Sequence, residues 1–112
     1  MRGAALRQVA GRESESGDRN ALIAGFLRQI ERAAAEGRFR FADHFCDKIL
    51  AEDPRHLEAW LLKAHLARHR FHDVQTAVNC YRQVLILGGF ESSNAWVAQA
   101  RASLAQLLEQ IA

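Results

Sequence analysis

Proline is almost missing. Pro54 is the only one in 112 residues, and seven glycines complete the strong breakers. So little punctuation excludes a fold of many short strands and tight turns and favours long helices. Cysteine is scarce as well. Cys46 and Cys80 are the only thiols, too few for a disulfide scaffold in a chain long enough to build one core without staples. A pairing of the two is left open. No apolar run approaches the roughly 18–20 residues of a membrane-spanning helix; the most tempting, Val84 to Leu87, has four. Charge of one sign is also absent. Lys and Arg number 15 against 13 Asp and Glu, for a net charge of +2. That balance gives no general basis for binding nucleic acid, and none is expected as a partner. The first twenty residues contain arginines but no continuous apolar stretch, which makes a poor secretory signal. Glu13, Glu15 and Asp18 argue against a transit peptide. A reduced, cytoplasmic protein without membrane insertion is expected.

What is present is helical patterning. Residues 1–20 lack any aromatic and end in a Ser/Glu/Gly/Asp-rich stretch, so a flexible leader is expected there. Within it Ala5, Leu6 and Val9 share a face that a partner would order. From Ala21 onward, Leu22, Phe26, Leu27, Ile30 and Ala33 recur at spacings of three and four, one stripe of a helix. Asp18 or Asn20 is placed to cap it, and Gly37 to end it in the left-handed conformation. A second helix is expected over Phe39–Ala51, stopping before Asp53-Pro54. A third covers His56–Arg70. A fourth starts at Asp73, a candidate N-cap, and stops at Gly88-Gly89. A fifth follows Ser92-Ser93 to the end of the chain. Short connections make these five successive antiparallel helices.

The pattern repeats. Phe26 and Trp60 lie 34 residues apart, and each is followed by small or apolar residues four and seven positions on: Ile30 and Ala33, Ala64 and Ala67. Gly37, Phe39, Ala42, Cys46, Ile49 and Pro54 complete the first unit. Ala77, Tyr81, Val84 and Leu85 complete the second, one residue late. Trp96, Ala100 and Ser103 open the pattern a third time, 36 residues after Trp60. Self-similarity at such a period is the mark of a repeat architecture. The segments Gly37 to Trp60 and Ala59 to Ala67 resemble the tetratricopeptide repeat, and the resemblance covers about residues 21–112. The second unit departs from it by one extra residue in its internal turn and by Gly88-Gly89 where Asp-Pro is usual. The resemblance implies an all-α, right-handed superhelix of antiparallel helix hairpins: repeat one at 23–56, repeat two at 57–92 and a capping helix at 93–112. Small residues at Ala42 and Ala64 allow close helix approach, and Trp60, Tyr81 and Phe45 fill the spaces between helices.

Members of this family are usually binding modules whose first helices line a concave groove. Carried onto this sequence, that face is Leu27, Glu31, Leu61, His65, Arg68, Val97 and Arg101. Its implied occupant is a peptide or partner helix, apolar with some acidic character. The carboxylate clamp of one subclass of the family is absent, since Leu27, Glu31 and Leu62 stand where polar or basic residues would be needed. The expected function is a non-enzymatic adaptor or scaffold subunit. The alternative is a small secretion-type chaperone that sequesters an aggregation-prone client helix. With two repeats and a cap, fewer than the roughly three wanted for stand-alone stability, apolar surface should remain at an end. A homo-oligomer or a larger complex is then expected to cover it.

Other constellations are weaker. His65, His69 and His72 follow helical spacing, but Arg68 and Arg70 oppose a divalent cation, and no metal or other cofactor is expected. No Gly-rich phosphate loop, CxxC pair or Ser/His/Asp arrangement is present, so no catalytic residue is assigned. Cys46 and Cys80 fall at neighbouring equivalent places in the two units and read as buried, inert thiols.

Overall fold

The computed structural model describes the backbone of residues 2–112 and the side chains from residue 17 onward. Its described residues form five α-helices and no strand: α1 (Arg2–Ala35), α2 (Phe39–Glu52), α3 (Leu57–His69), α4 (Val74–Gly88) and α5 (Ala95–Ile111). The all-α class and the five helices agree with the sequence reading.

The helix ends follow local chemistry. Gly37 sits at φ +75°. The Arg38 amide donates to the Ala33 carbonyl at 2.8 Å and the Gly37 amide to that of Ala34 at 3.1 Å. This paired closure of the last turn needs a left-handed residue, which glycine supplies without steric cost. Asp73 caps α4 as expected, accepting from the Thr76 amide at 3.1 Å and the Thr76 hydroxyl at 2.7 Å. Asn94 caps α5 through the amides of Trp96 and Val97. His56, one residue ahead of α3, uses Nδ1 to accept from the Ala59 amide. That is a capping role its residue type does not announce.

The start of α1 differs from expectation. The helix begins at Arg2, so the stretch read as a flexible leader forms its first half, and neither Asp18 nor Asn20 begins a helix. No proline interrupts residues 2–35, and Ala, Leu, Arg and Gln there favour the helical backbone. The expected face of Ala5, Leu6 and Val9 lies outside the described side chains. At 34 residues α1 is about 50 Å long, in a molecule whose longest extent is 65 Å.

Each helix packs on the next, and α3 also packs on α5. Two apolar clusters result. One gathers Ile23, Ile30, Ala33, Ala42, Cys46, Ile49 and Ala59. The other gathers Leu61, Ala64, Ala67, Ala77, Cys80, Tyr81, Val84, Val97, Ala100 and Leu107. Ala42, Ala64 and Ala77 are fully buried, so the small residues stand where backbones approach most closely. Tyr81 is fully buried too, whereas Trp60 and Phe45 are half-buried. Trp60 donates its indole N–H to the Pro54 carbonyl at 2.8 Å, fastening the α2–α3 turn. Gly88 has a second function besides ending α4. A Cβ there would collide with the Val97 side chain and press on Leu57, so the missing side chain is what lets α4 meet α5.

Lys63 joins α3 to α2. Its ammonium lies 2.9 Å from carboxylate oxygens of both Asp43 and Asp47. Burial alone would lower its pKa, but the bonds from Asp47 and Asp43 outweigh burial and raise it.

Candidate functional site

The flanks of α3 are unlike. On one flank lies α5. His65 is half-buried there, its Nδ1 2.7 Å from the Tyr81 hydroxyl and its Nε2 3.2 Å from the Gln99 side-chain amide. With Gln99 donating to Nε2, the neutral ring donates its Nδ1–H to Tyr81. Burial, then the fields of His69 and Arg68, lower the His65 pKa, so the uncharged ring is favoured. One turn on, Arg68 donates to the Ser103 carbonyl and to the side chains of Gln106 and Gln110. The seam between α3 and α5 is therefore closed by hydrogen bonds over an apolar floor.

On the other flank, α1 and α3 do not close. No Cα of one lies within 8 Å of a Cα of the other among the described residues. Between them opens a cleft of roughly 290 Å³ lined by Ile30 and Ala34 of α1, Phe39 and Ala42 of α2, and Leu62, His65, Leu66, His69 and Arg70. That size is at the lower end of ligand pockets, about 300–1,000 Å³. The floor is apolar and the imidazoles and Arg70 form its rim.

Beside this rim the guanidinium carbons of two arginines lie over phenylalanine rings. The Arg40 guanidinium carbon is 3.9 Å from the centre of the Phe71 ring, and that of Arg70 is 4.3 Å from the centre of Phe39. Residues 39–40 and 70–71 thus exchange partners across the gap between the start of α2 and the end of α3. Each such stack stabilises by about 0.5–1 kcal/mol at an exposed site.

The structure redistributes the residues assigned to the groove. Leu61 and Val97 are 2% and 0% exposed. They belong to the core because α5 lies across that face of α3, and neither is open to a partner. Arg101 is exposed and holds the α4–α5 turn through the carbonyls of Phe90 and Ser92. Leu27 is half-buried in the first apolar cluster and Glu31 is exposed on α1; the cleft uses Ile30 and Ala34 instead. Arg68 belongs to the closed seam. Of the seven, His65 alone lines the cleft. The stripe that does face it, Leu62, Leu66 and His69, is the neighbour of Leu61, His65 and Arg68, one residue further around the helix. Its apolar pair one turn apart is the signal that locates it.

The remaining candidates are placed as follows. The His65 and His69 rings are 6.0 Å apart, while His72 leaves the helix at φ +52°. Among the described residues no three His, Cys, Asp or Glu side chains gather in a group able to hold a metal ion. Cys46 and Cys80 are free and buried. Burial first, aided by Asp43, pushes the Cys46 thiol up to about 12, and burial pushes Cys80 up to about 11, the opposite of an activated nucleophile. The two sit on α2 and α4, which share no Cα pair within 8 Å, beyond the reach of a disulfide. No helix of the described residues is long and apolar enough to cross a membrane. Large apolar side chains stay exposed at the ends of the helix array: Leu22 on α1, and Trp96, Leu108 and Ile111 on α5.

Comparison with protein-family models, curated proteins and solved structures gives no match.

Proposed function

We propose that this chain is a non-enzymatic protein-interaction module of tetratricopeptide type, an adaptor or scaffold subunit that takes a helix or extended peptide of a partner into the cleft between α1 and α3. The observation that carries this reading is the cleft itself. Exposed Ala34 and half-buried Leu62 and Leu66 stay partly open over buried Ile30, between two helices that share one core, the arrangement in which a groove receives an amphipathic segment. The internal period of 34 residues and the buried alanines at equivalent places in both units support the family reading. The buried thiols of Cys46 and Cys80, with pKa values pushed up, speak against a chemical role for those two residues.

The test is affinity purification from the native host with quantitative mass spectrometry, comparing the wild-type chain with Ala34→Phe. Ala34 is exposed at the wall of the cleft, so the ring fills the cleft without entering the core. A partner enriched by wild type and lost with Ala34→Phe is the expected result; equal recovery contradicts the reading. The apolar floor favours a second reading, the chaperone that shields a client helix. In that case the chain should gain stability on co-expression with the protein it captures. The exposed Leu108 and Ile111 of α5 also fit self-association, for which light scattering should give a mass above 12.6 kDa.

A further inference from the structure

We propose that the crossed Arg40–Phe71 and Arg70–Phe39 stacks form a built anion anchor at the mouth of the cleft, and that the partner is an acidic amphipathic protein segment whose carboxylates they grip. The inference rests on the cleft reading above and specifies the chemistry of its occupant.

A guanidinium lying on a ring spends one face on the aromatic and keeps its N–H edge for a carboxylate, held in a fixed plane. Arg40 and Arg70 are both exposed, and among the described residues neither is salt-bridged. The acids on this edge are already engaged. Glu36 pairs with Arg38 at 3.6 Å. Asp43 is held by Lys63. Asp73 feels the field of Arg40, but its oxygens cap Thr76. Two exposed cations, Arg40 (within the field of Asp73) and Arg70, neither salt-bridged among the described residues, therefore stand beside an apolar cleft that Arg70 and Phe39 also line. A single-stranded nucleic acid is the poorer fit. It needs open ring faces for its bases, and the faces of Phe39 and Phe71 already carry guanidiniums. A carboxylate beside a leucine-like side chain meets both halves of the surface.

The probe is a fluorescein-labelled, helix-forming synthetic peptide with leucines at every third and fourth position and glutamates between them. A matched peptide carries glutamine for every glutamate. Fluorescence anisotropy with the full chain should show the glutamate peptide binding at least about tenfold more tightly than the glutamine peptide, the worth of a desolvated charge contact. The double variant Arg40→Gln/Arg70→Gln should erase that difference. Arg38→Gln, which removes an arginine already paired with Glu36, should leave it intact. Arg40→Lys/Arg70→Lys keeps the charge and should restore only part. Thermal unfolding of each variant separates loss of the anchor from loss of the fold. Equal affinity for the two peptides, no binding of the glutamate peptide, or its displacement by oligothymidylate overturns the proposal. If both peptides bind equally and Ala34→Phe abolishes both, the anchor fails while the cleft reading stands. If Ala34→Phe changes neither, the cleft reading fails too.

Discussion

Helix α3 has a neighbour on each flank, and the two flanks have been completed to different degrees. Toward α5, Leu61 and Val97 are sealed in the core, His65 is shared between Tyr81 and Gln99, and Arg68 spans to three groups of α5. Toward α1, half-buried Leu62 and Leu66 and buried Ile30 line a gap that no hydrogen bond closes among the described residues, with arginine–phenylalanine stacks beside it. The same helix thus presents a finished interface and an unfinished one. The finished side is closed by packing and hydrogen bonds, and the unfinished side is the surface proposed for a partner.

The largest expected effect lies on the finished side. Tyr81→Ala empties a fully buried site and removes the partner of His65. It should cost about 3–5 kcal/mol of unfolding free energy in urea titration. Gly88→Ala drives a methyl into Val97 and should cost about 1–3 kcal/mol by the same measurement. On the unfinished side, Leu66→Ala removes a half-buried side chain and should cost about 1 kcal/mol. A loss as large as that of Tyr81→Ala would erase the contrast between the flanks. The smallest effect concerns pH. The folded chain holds His65 neutral with a pKa below the ordinary 6.5, whereas the unfolded chain protonates it near that value. Stability is then full above pH 6.5 and declines as pH falls from there toward the folded pKa. Thermal unfolding across this range should show the decline, and His65→Gln should flatten it.

Much of this was legible in the chain, for reasons that are local. The stop at Gly37, the cap at Asp73 and the buried alanines at 42, 64 and 77 follow from the backbone preference or size of single residues. The helices follow from spacing. What spacing does not supply is the identity of the covering neighbour. Leu61, His65 and Arg68 share a face by periodicity, yet α5 lies over that face, so the residues assigned to the groove became core and seam while the adjacent stripe faces the cleft. The continuation of α1 back to Arg2 opposes a composition that reads as a leader. Gly88 owes its place to a contact with Val97, and the arginine–phenylalanine exchange joins residues about thirty positions apart. The Gly88 contact and the arginine–phenylalanine exchange do not follow from the sequence near each residue.

The contrast between the flanks is tested most directly by placing the same large side chain in each and measuring unfolding free energy in urea. Ala34→Phe adds a ring to the open cleft and Ala100→Phe adds one to the closed seam, where Ala100 is fully buried. Ala34→Phe should be neutral or stabilising, and Ala100→Phe should lose about 1–3 kcal/mol or more. Equal losses in the two variants would contradict the contrast.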